Sequence, residues 1–350
     1  MRASVFHGAG DVRLEEVPDP RPREGEVLLR VLRSGMCGTD ATEWSVGPRT
    51  FPVATPHPVT GHVGPMVLGH EFVGEVVDPG GSALAAGDVV ASGAGVWCGR
   101  CRRCAEGRTN LCERYWTLGL NAPGGMAELV AVPEQTLRPV PEGLELDAAG
   151  LAQPLAVGLH AARRSGVRDG DRVVMTGAGA IGSFVLAGLS SLARAEVTVV
   201  DFAGPRLDRA TRLGAARVVP AGPEADEQLR EAAASAPVDV VIEASGAPGR
   251  LQAALELVRP GGTVLQVGLP KQRQEVDVFT TVMREIDVVT TLAHVCDADL
   301  AAALTLLHES DLAHEVLDSV HPLEAVPAQL ERLAAGELHG KVLIDPTRVA

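Results

Sequence analysis

The sequence predicts an α/β protein with two domains, a mostly β domain followed by a doubly wound parallel sheet. Its 350 residues are enough for two hydrophobic cores. Residues 1–154 are rich in proline, glycine and short β-type runs, whereas residues 155–293 alternate short apolar runs with helical patterns. We expect residues 294–350 to return to the first domain through a strand at Lys341–Ile344.

Short apolar runs indicate the strands. In the first domain they are Val27–Val31, Phe72–Val77 and Asp88–Ala91. In the second they are Arg172–Thr176, Val197–Val200, Arg217–Val219, Val238–Ile242, Thr263–Val267 and Ile286–Thr290. The second set lacks the alternation of a half-exposed strand, which is typical of parallel strands covered on both faces. Six such strands with right-handed crossovers predict a Rossmann sheet.

Three helical patterns separate these strands. Apolar residues recur on one helical face at Ile181, Phe184, Val185, Gly188, Leu189 and Leu192. A second helix is predicted to begin at Pro205 and end at Gly214. A third pattern, Leu251, Ala254, Leu255 and Val258, precedes a predicted turn at residues 260–262.

The loop after the first of these strands carries a dinucleotide motif, Gly177-Ala178-Gly179-Ala180-Ile181-Gly182. It follows a predicted strand, opens a predicted helix, and precedes Asp201 at the end of the next strand, which together make the motif specific. Its glycines would permit a tight turn, close approach of the pyrophosphate and close helix packing. Asp201 would accept hydrogen bonds from the adenosine ribose and repel a 2′-phosphate, which favours NAD over NADP.

Two further features bear on this cofactor. Arg206 is the cation close enough to Asp201 to weaken the preference for NAD. Strand ends line the cofactor crevice of such a sheet, so we expect Val267 and Leu269 to line the nicotinamide. Glycines used only as turn residues are the alternative interpretation of the loop.

Composition and charge exclude several classes of function. The net charge of −14 argues against nucleic acid and anionic membranes as partners. Residues 173–193 hold no charged residue, but four glycines and a change from β-branched to helical pattern favour a strand and helix over a membrane span. The first sixteen residues contain no apolar run of signal-peptide length, so we expect a cytoplasmic protein.

Four cysteines lie within fifteen residues, at Cys98, Cys101, Cys104 and Cys112. The spacing C-x2-C-x2-C-x7-C can place four thiolates around one tetrahedral ion, and zinc suits such a closed site. A [4Fe–4S] cluster and two disulfides are the alternatives. The bacterial ferredoxin run closes with a shorter gap and a proline, and disulfides suit oxidising compartments, so structural zinc is favoured.

Three further motifs point to a family. They are residues 35–40 (GMCGTD), 69–71 (GHE) and 153–155 (QPL), with the four-cysteine lobe between the second and the third. In this order, ahead of a Rossmann unit, they resemble the zinc-dependent medium-chain alcohol dehydrogenases over essentially the whole chain. Residues 55–61 (TPHPVTG) resemble most the polyol and 2,3-butanediol dehydrogenase branch.

The resemblance implies a GroES-like catalytic domain, the Rossmann coenzyme domain, two zinc ions per chain and a homodimer or homotetramer. It implies that Cys37 and His70 bind the catalytic zinc, with Glu71 as a ligand or a nearby carboxylate. Zinc would lower the pKa of the bound alcohol, Thr39 would take its proton, and hydride would pass to the nicotinamide.

The chain departs from the family pattern at two positions. Gln153 stands where the branch has glutamate, and a neutral amide is a poorer zinc ligand, so we expect a more loosely held ion and a stronger Lewis acid. Thr42 stands where many relatives place a histidine that passes the proton to solvent. His57 or His62 could replace it, although each is also an ordinary loop residue.

These features predict a zinc- and NAD-dependent oxidoreductase of a small secondary alcohol or ketone, with a vicinal diol, polyol or cyclitol-like substrate. One alternative is a specialised biosynthetic reductase acting on a pathway-specific ketone or an activated double bond. A second is a catalytically silent relative that binds NAD. The sequence identifies neither the substrate nor the oligomer size.

Overall fold

The chain forms two compact units, which are described separately. The structure is a computed structural model that describes residues 1–348, and the last two residues of the predicted segment 294–350 lie outside the described residues. The first unit comprises Met1–Ala156 and the segment from Val295 onward, and the second comprises Val157–His294. The sequence-predicted boundary after residue 154 falls inside one helix, α4 (Ala152–Ser165).

The first unit is mostly β structure. Its strands are β1 (Arg2–Gly8), β2 (Asp11–Glu16), β3 (Glu26–Gly35), β4 (Met66–Val67), β5 (Glu71–Asp78), β6 (Val89–Ser92), β7 (Gly95–Val96), β8 (Trp116–Thr117), β9 (Leu129–Pro133), β10 (Leu137–Pro139), β17 (Leu317–His321) and β18 (Lys341–Ile344). Its helices, besides the first turn of α4, are α1 (Gly38–Val46), α2 (Arg102–Ala105), α3 (Leu146–Ala149), α10 (Ala301–His308), α11 (Leu312–Val316) and α12 (Val326–Ala334). A π-helical segment, Cys296–Leu300, precedes α10.

Strand β3 lies at the centre of the largest sheet, whose order is β10-β6-β5-β3-β18-β17 with β9 also paired to β3. The predicted terminal strand is β18, which pairs antiparallel with β3. Apolar side chains alternate along β3, and Val27, Leu29 and Val31 are fully buried in one core cluster. Residues at both ends of the sequence therefore share one sheet, which positions the candidate site described below.

The second unit is the predicted Rossmann sheet. Its strands are β11 (Arg172–Thr176), β12 (Glu196–Asp201), β13 (Arg217–Pro220), β14 (Val238–Glu243), β15 (Val258–Gln266) and β16 (Asp287–Thr290). They are all parallel, in the order β13-β12-β11-β14-β15-β16. The helices are α5 (Ala180–Leu192), α6 (Pro205–Arg212), α7 (Ala225–Ser235), α8 (Arg250–Leu257) and α9 (Val278–Met283). Separate apolar clusters cover the two faces of the sheet, which explains the continuous apolar runs.

One detail of the sequence prediction is wrong. Val258 ends no helix but begins β15, and residues 260–262 lie inside that strand, because an irregularity opposite Val238 and Val240 absorbs the positive φ of Gly261. Leu192 lies in the predicted helix, α5, and is 42% exposed in its last turn. Among residues 1–348, no helix combines the length and the apolarity that a bilayer crossing needs.

Candidate functional site

The side chains of Cys37, His70 and Glu71 converge in the first unit. Cys37 caps the N-terminus of α1, directly after β3, while His70 and Glu71 lie at the start of β5. The pairing of Gly35 with Glu71 brings the ends of these strands together. One ligand atom from each of the three side chains lies within 4.8 Å of the others, and His70 and Glu71 are buried. A thiol, an imidazole and a carboxylate in this arrangement fit a zinc ion.

Asp40 orients this cluster. It lies in the motif at residues 35–40, but the sequence predicted no role for it. It is completely buried, and its Oδ2 accepts a hydrogen bond from the Cys37 backbone N–H at 2.9 Å. Its Oδ1 lies 3.5 Å from Nδ1 of His70. Nε2 of His70 lies on the side of Glu71, 4.0 Å from its Oε1. A carboxylate behind an imidazole is the usual way to fix the tautomer of a metal-binding histidine.

The protonation of His70 reflects these neighbours. Burial lowers the pKa of His70, but the negative charges of Asp40 and Cys37 and their hydrogen bonds outweigh this effect and hold it well above the usual range. A metal ion binds the neutral imidazole, so it would take the place of that proton. Thr39 lies beside the cluster, with its Oγ1 3.8 Å from Sγ of Cys37.

Glu71 has a buried cationic partner that the sequence reasoning also missed. Lys341 on β18 is 3% exposed and forms an ion pair with Oε2 of Glu71. Its Nζ also donates a hydrogen bond to the Met36 carbonyl at 2.7 Å. Burial lowers the pKa of Lys341, but the charges of Glu71, Cys37 and Asp40 outweigh it and raise that pKa above the ordinary value.

The structure also describes the two positions at which the sequence departs from the family pattern, and the two loop histidines. Gln153 is buried, 9% exposed, in the first turn of α4. Thr42 is half-buried on α1, and its hydroxyl donates to the Gly38 carbonyl at 2.8 Å. His57 accepts from the backbone N–H of Thr60 at 3.2 Å, and burial lowers its pKa. The ring of His62 lies 3.2 Å from the carbonyl of Pro65, so both loop histidines contact their own loop.

The four-cysteine lobe forms a second cluster. Sγ atoms of Cys98, Cys101, Cys104 and Cys112 all lie within 4.8 Å of one another. All six cysteines of the chain are free thiols, so the disulfide alternative is wrong. Backbone N–H groups of Cys98 and Arg114 donate to Sγ of Cys112 at 3.2 and 3.3 Å. Backbone hydrogen bonds lower the pKa of Cys101 to about 6, which favours the thiolate that a metal requires, whereas burial raises the pKa of Cys104 to about 12. This donor set fits a closed, four-coordinate zinc site.

The glycine loop of the second unit has the geometry of a phosphate cradle. Gly177 has φ +98°, and a side chain there would lie 2.8 Å from the backbone nitrogen of Ser245. Gly179 caps α5 with open space around its Cα, so a phosphate could approach the helix N-terminus there. Gly182 packs against the carbonyl group of Gly177, and Ala180 and Ile181 form the first turn of α5 between them.

Asp201 supports this loop from the end of β12. It is 7% exposed, and its Oδ2 accepts a hydrogen bond from Ala178 N–H at 2.6 Å. Its Oδ1 accepts from Phe202 N–H at 2.7 Å and lies 3.8 Å from the guanidinium of Arg206. Each carboxylate oxygen has two lone pairs, so capacity for ribose hydroxyls remains.

A buried arginine on α6, which the sequence did not identify, stabilises the glycine loop. Arg209 on α6 is 4% exposed, donates to the Ala178 carbonyl at 2.9 Å and donates to the Ser183 hydroxyl at 2.9 Å. At the other strand ends, backbone N–H groups of Val267 and Gly268 donate to the Glu243 carbonyl at 2.8 and 2.9 Å. Leu269, which follows them, is 87% exposed.

Comparisons with known proteins agree with this geometry. Residues 23–142 match the alcohol dehydrogenase GroES-like domain, and residues 180–309 match the zinc-binding dehydrogenase domain. The chain is 32% identical over 278 residues to sorbitol dehydrogenase of Bacillus subtilis, covering 78% of this chain and 76% of that protein. It is 30% identical to (R,R)-butanediol dehydrogenase of Neisseria gonorrhoeae, over 99% of both chains. The chain belongs to the zinc-dependent medium-chain alcohol dehydrogenases.

Solved structures of this family share the fold. The crystal structure of 2R,3R-butanediol dehydrogenase from Bacillus subtilis superposes with a TM-score of 0.89, at 28% identity and 99% coverage of both chains. A zinc-binding dehydrogenase of Sinorhizobium meliloti bound to NADP has a TM-score of 0.86 at 27% identity, covering 99% of both chains. The predicted fold class and the prediction of a zinc alcohol dehydrogenase that uses a nicotinamide cofactor are therefore confirmed.

Proposed function

We propose that the protein transfers hydride between NAD and a secondary alcohol that carries a neighbouring hydroxyl group, such as a vicinal diol, a polyol or a cyclitol-like compound. The observation that carries this proposal is the convergence of Cys37, His70 and Glu71. The relatives named sorbitol dehydrogenase and (R,R)-butanediol dehydrogenase support the substrate class. We also propose residues 1–154 and 294–350 as the catalytic domain and 155–293 as the coenzyme domain.

The roles of the residues follow from their positions. Cys37, His70 and Glu71 would hold the catalytic zinc, and Asp40 would keep Nε2 of His70 directed at it. Bound zinc would supply Lewis acidity at the alcohol oxygen, and bound NAD would accept the hydride. Thr39, beside Cys37, would take the alcohol proton through its hydroxyl.

The glycine loop favours NAD. Gly177, Gly179 and Gly182 would cradle the pyrophosphate, while the buried carboxylate of Asp201 would accept from the ribose and repel a 2′-phosphate. Arg206 lies near Asp201 and is the cation that could soften this preference. One relative is bound to NADP, so the test compares the two cofactors. The ratio of kcat/KM with NAD to kcat/KM with NADP should fall strongly in Asp201→Ala.

The neutral Gln153 would leave the catalytic centre one negative charge short of its relatives. Restoring the carboxylate in Gln153→Glu should slow zinc loss to a chelator, and unchanged zinc retention would refute this role.

Thr42 donates to a backbone carbonyl and cannot store a proton near neutral pH. Thr42→His should therefore raise turnover near neutral pH, whereas an unaltered pH–rate profile would contradict the missing-relay hypothesis.

We further propose that the protein is a cytoplasmic homodimer or homotetramer. The four thiols of the cysteine lobe must remain reduced to bind zinc, which supports a cytoplasmic location. An exposed apolar surface on the second unit supports assembly, because β16 is an edge strand and the neighbouring α9 exposes Phe279 by 77% and Met283 by 70%. In sedimentation, Phe279→Asp should produce a smaller species, and Leu192→Asp, at another exposed apolar site, should not.

The decisive experiment incubates the zinc-loaded protein with NAD and a panel of secondary alcohols, vicinal diols, polyols and cyclitols, and follows nicotinamide absorbance. A signal with diols or polyols that Cys37→Ala abolishes supports the proposal. No signal with two zinc ions and NAD demonstrably bound would refute the substrate class. The same protein would then be assayed with NADH and ketones, since the neutral Gln153 favours a specialised reductase as the second candidate.

A further inference from the structure

A buried lysine next to the candidate metal centre stands out against the composition of the chain. Of the 31 lysine and arginine residues, only Lys271 and Lys341 are lysines. Lys271 is exposed, whereas Lys341 is 3% exposed. Lysine is a compact, strongly hydrated charge whose burial is costly unless it is paired. In a chain that otherwise uses arginine, a buried lysine paired with a carboxylate at this position is an exception.

The sheet register explains how Lys341 reaches Glu71. Gly35 on the central strand β3 pairs with Glu71 on one side and with Leu343 on the other. Directly paired residues share a face of the sheet, and Lys341 lies on the same face as Leu343, two residues before it. Glu71 and Lys341 therefore flank β3 on one face, and a side chain on β3 would stand between them.

Gly35 leaves the gap through which the ion pair forms. A Cβ atom at Gly35 would lie 3.1 Å from Cβ and 3.4 Å from Cδ of Glu71, and closer still to its Oε2. That oxygen is the one paired with Lys341. The carboxylate thus crosses β3 above a bare backbone, and its other oxygen, Oε1, remains on the side of His70.

The ion pair changes the net charge of the metal centre. The Cys37 thiolate, Glu71 and Asp40 carry three negative charges when ionised, and Lys341 carries one positive charge. A divalent ion would bring the buried cluster to neutrality with a neutral His70 and a neutral Gln153. Without Lys341 the loaded centre would keep one uncompensated negative charge in a buried site.

We propose that Lys341, acting across Gly35, is a positioning residue of the catalytic metal centre: it engages Oε2 of Glu71 so that only Oε1 faces the ion, and it neutralises the loaded cluster. This inference rests on the proposed zinc site at Cys37, His70 and Glu71. It assigns Lys341 no contact with substrate. The positive charge of its ammonium weakens the negative field at the ion. The ion is therefore a stronger Lewis acid, and the centre binds it less tightly.

The test compares Lys341→Met with Lys271→Met, the same substitution at the other lysine, in the full-length zinc-loaded protein. The rate at which zinc passes to a chromogenic chelator is measured. Cys37→Ala should keep only the zinc of the cysteine lobe, so the kinetic phase that this variant lacks is the release of zinc from the catalytic centre. We expect Lys341→Met to slow release from the centre about tenfold, because the repelling ammonium is gone and both oxygens of Glu71 are free. Lys271→Met should behave as wild type.

Two further variants separate positioning from packing. Gly35→Ala keeps Lys341 but places a methyl group in the path of the carboxylate, so the visible ligand-field bands of its Co(II) form should shift in the same sense as those of Lys341→Met. Lys341→Arg keeps the charge and should keep release within about threefold of wild type even if its Tm falls. Near-UV circular dichroism of each variant confirms the fold.

The possible outcomes distinguish the two proposals. Wild-type release and wild-type Co(II) bands in both Lys341→Met and Gly35→Ala would overturn the role of Lys341 while leaving the zinc centre in place. Faster release in Lys341→Met would also overturn it, since that is what loss of mere packing would cause. A wild-type protein that retains only the lobe zinc would instead overturn the catalytic centre itself, and the role of Lys341 with it.

Discussion

Two glycines of the dinucleotide loop, Gly179 and Gly182, should respond to the same substitution in opposite ways. At Gly179 nothing lies within 4 Å of an added Cβ, and the residue has an extended conformation with φ −63° that alanine adopts freely. At Gly182 an added Cβ would lie 2.9 Å from the carbonyl carbon of Gly177 and closer to its oxygen. One substitution therefore fills space meant for a ligand, and the other fills space already occupied by protein.

The magnitudes follow from these distances. Carbon atoms pack at about 3.5–4.0 Å, so Gly182→Ala must move α5 and the loop apart by about 1 Å, which costs about 1–3 kcal/mol. At about 3 °C per kcal/mol the Tm should fall by roughly 3–9 °C. Gly179→Ala loses only the preference for glycine over alanine at a helix cap, about 0.5 kcal/mol. Its methyl group would obstruct the pyrophosphate, so the Kd for NADH should rise at least about tenfold, or about 1.4 kcal/mol.

Calorimetry of the protein without cofactor and fluorescence titration with NADH measure the two effects separately. Gly179→Ala should melt close to wild type but bind NADH poorly, whereas Gly182→Ala should melt earlier. A Gly179→Ala variant that binds NADH as wild type does would refute the placement of the pyrophosphate on this helix N-terminus. Wild-type stability of Gly182→Ala would refute the inferred close packing.

Three further predictions concern residues away from this loop. Cys101→Ser should lose one zinc per chain and lower the Tm while leaving the Kd for NADH unchanged, as metal analysis and titration would show. Arg209→Met removes a buried donor from the Ala178 carbonyl and should cost about 2 kcal/mol of unfolding free energy, with weaker NADH binding; unaltered stability would contradict the bracing role. The hydrogen bond from Arg250 lowers the pKa of Asp226, so its stabilisation is present above the unfolded pKa and is lost as the pH falls through the folded one. Asp226→Asn should therefore be less stable than wild type at neutral pH and converge with it in acid, and a constant difference in urea midpoints across pH would contradict this.

The elements of the second unit could be predicted from the sequence because their signals are local. Each strand from β11 to β16 contains a short apolar run, and the glycine spacing before α5 fixes where that helix begins. The error arose where a local pattern was too weak to decide. Val258 fits a helical period as well as a strand, and only its pairing with Val238 assigns it to β15.

The candidate zinc sites divide in the same way. The four lobe cysteines lie within fifteen residues, so their spacing alone predicts a closed site. The ligands Cys37, His70 and Glu71 were found through family motifs, because His70 lies thirty-three positions after Cys37 and no spacing rule connects them. Asp40 lay inside a quoted motif, and its position three residues after Cys37, at the start of a helix, was the signal that could have identified it.

The sequence by itself therefore determined the fold class, the cysteine lobe and the cofactor loop, since each depends on residues close together in the chain, and it determined the family through several short motifs in a fixed order. Only the tertiary structure decided which charges meet. Lys341 donates to a carbonyl 305 residues earlier, and its partner Glu71 is reached only because β18 and β5 flank β3 at a glycine. In a sequence a lone lysine is an ordinary surface charge, and its burial beside a carboxylate depends on strand register. Register is set by the packing of whole strands, which no short segment encodes.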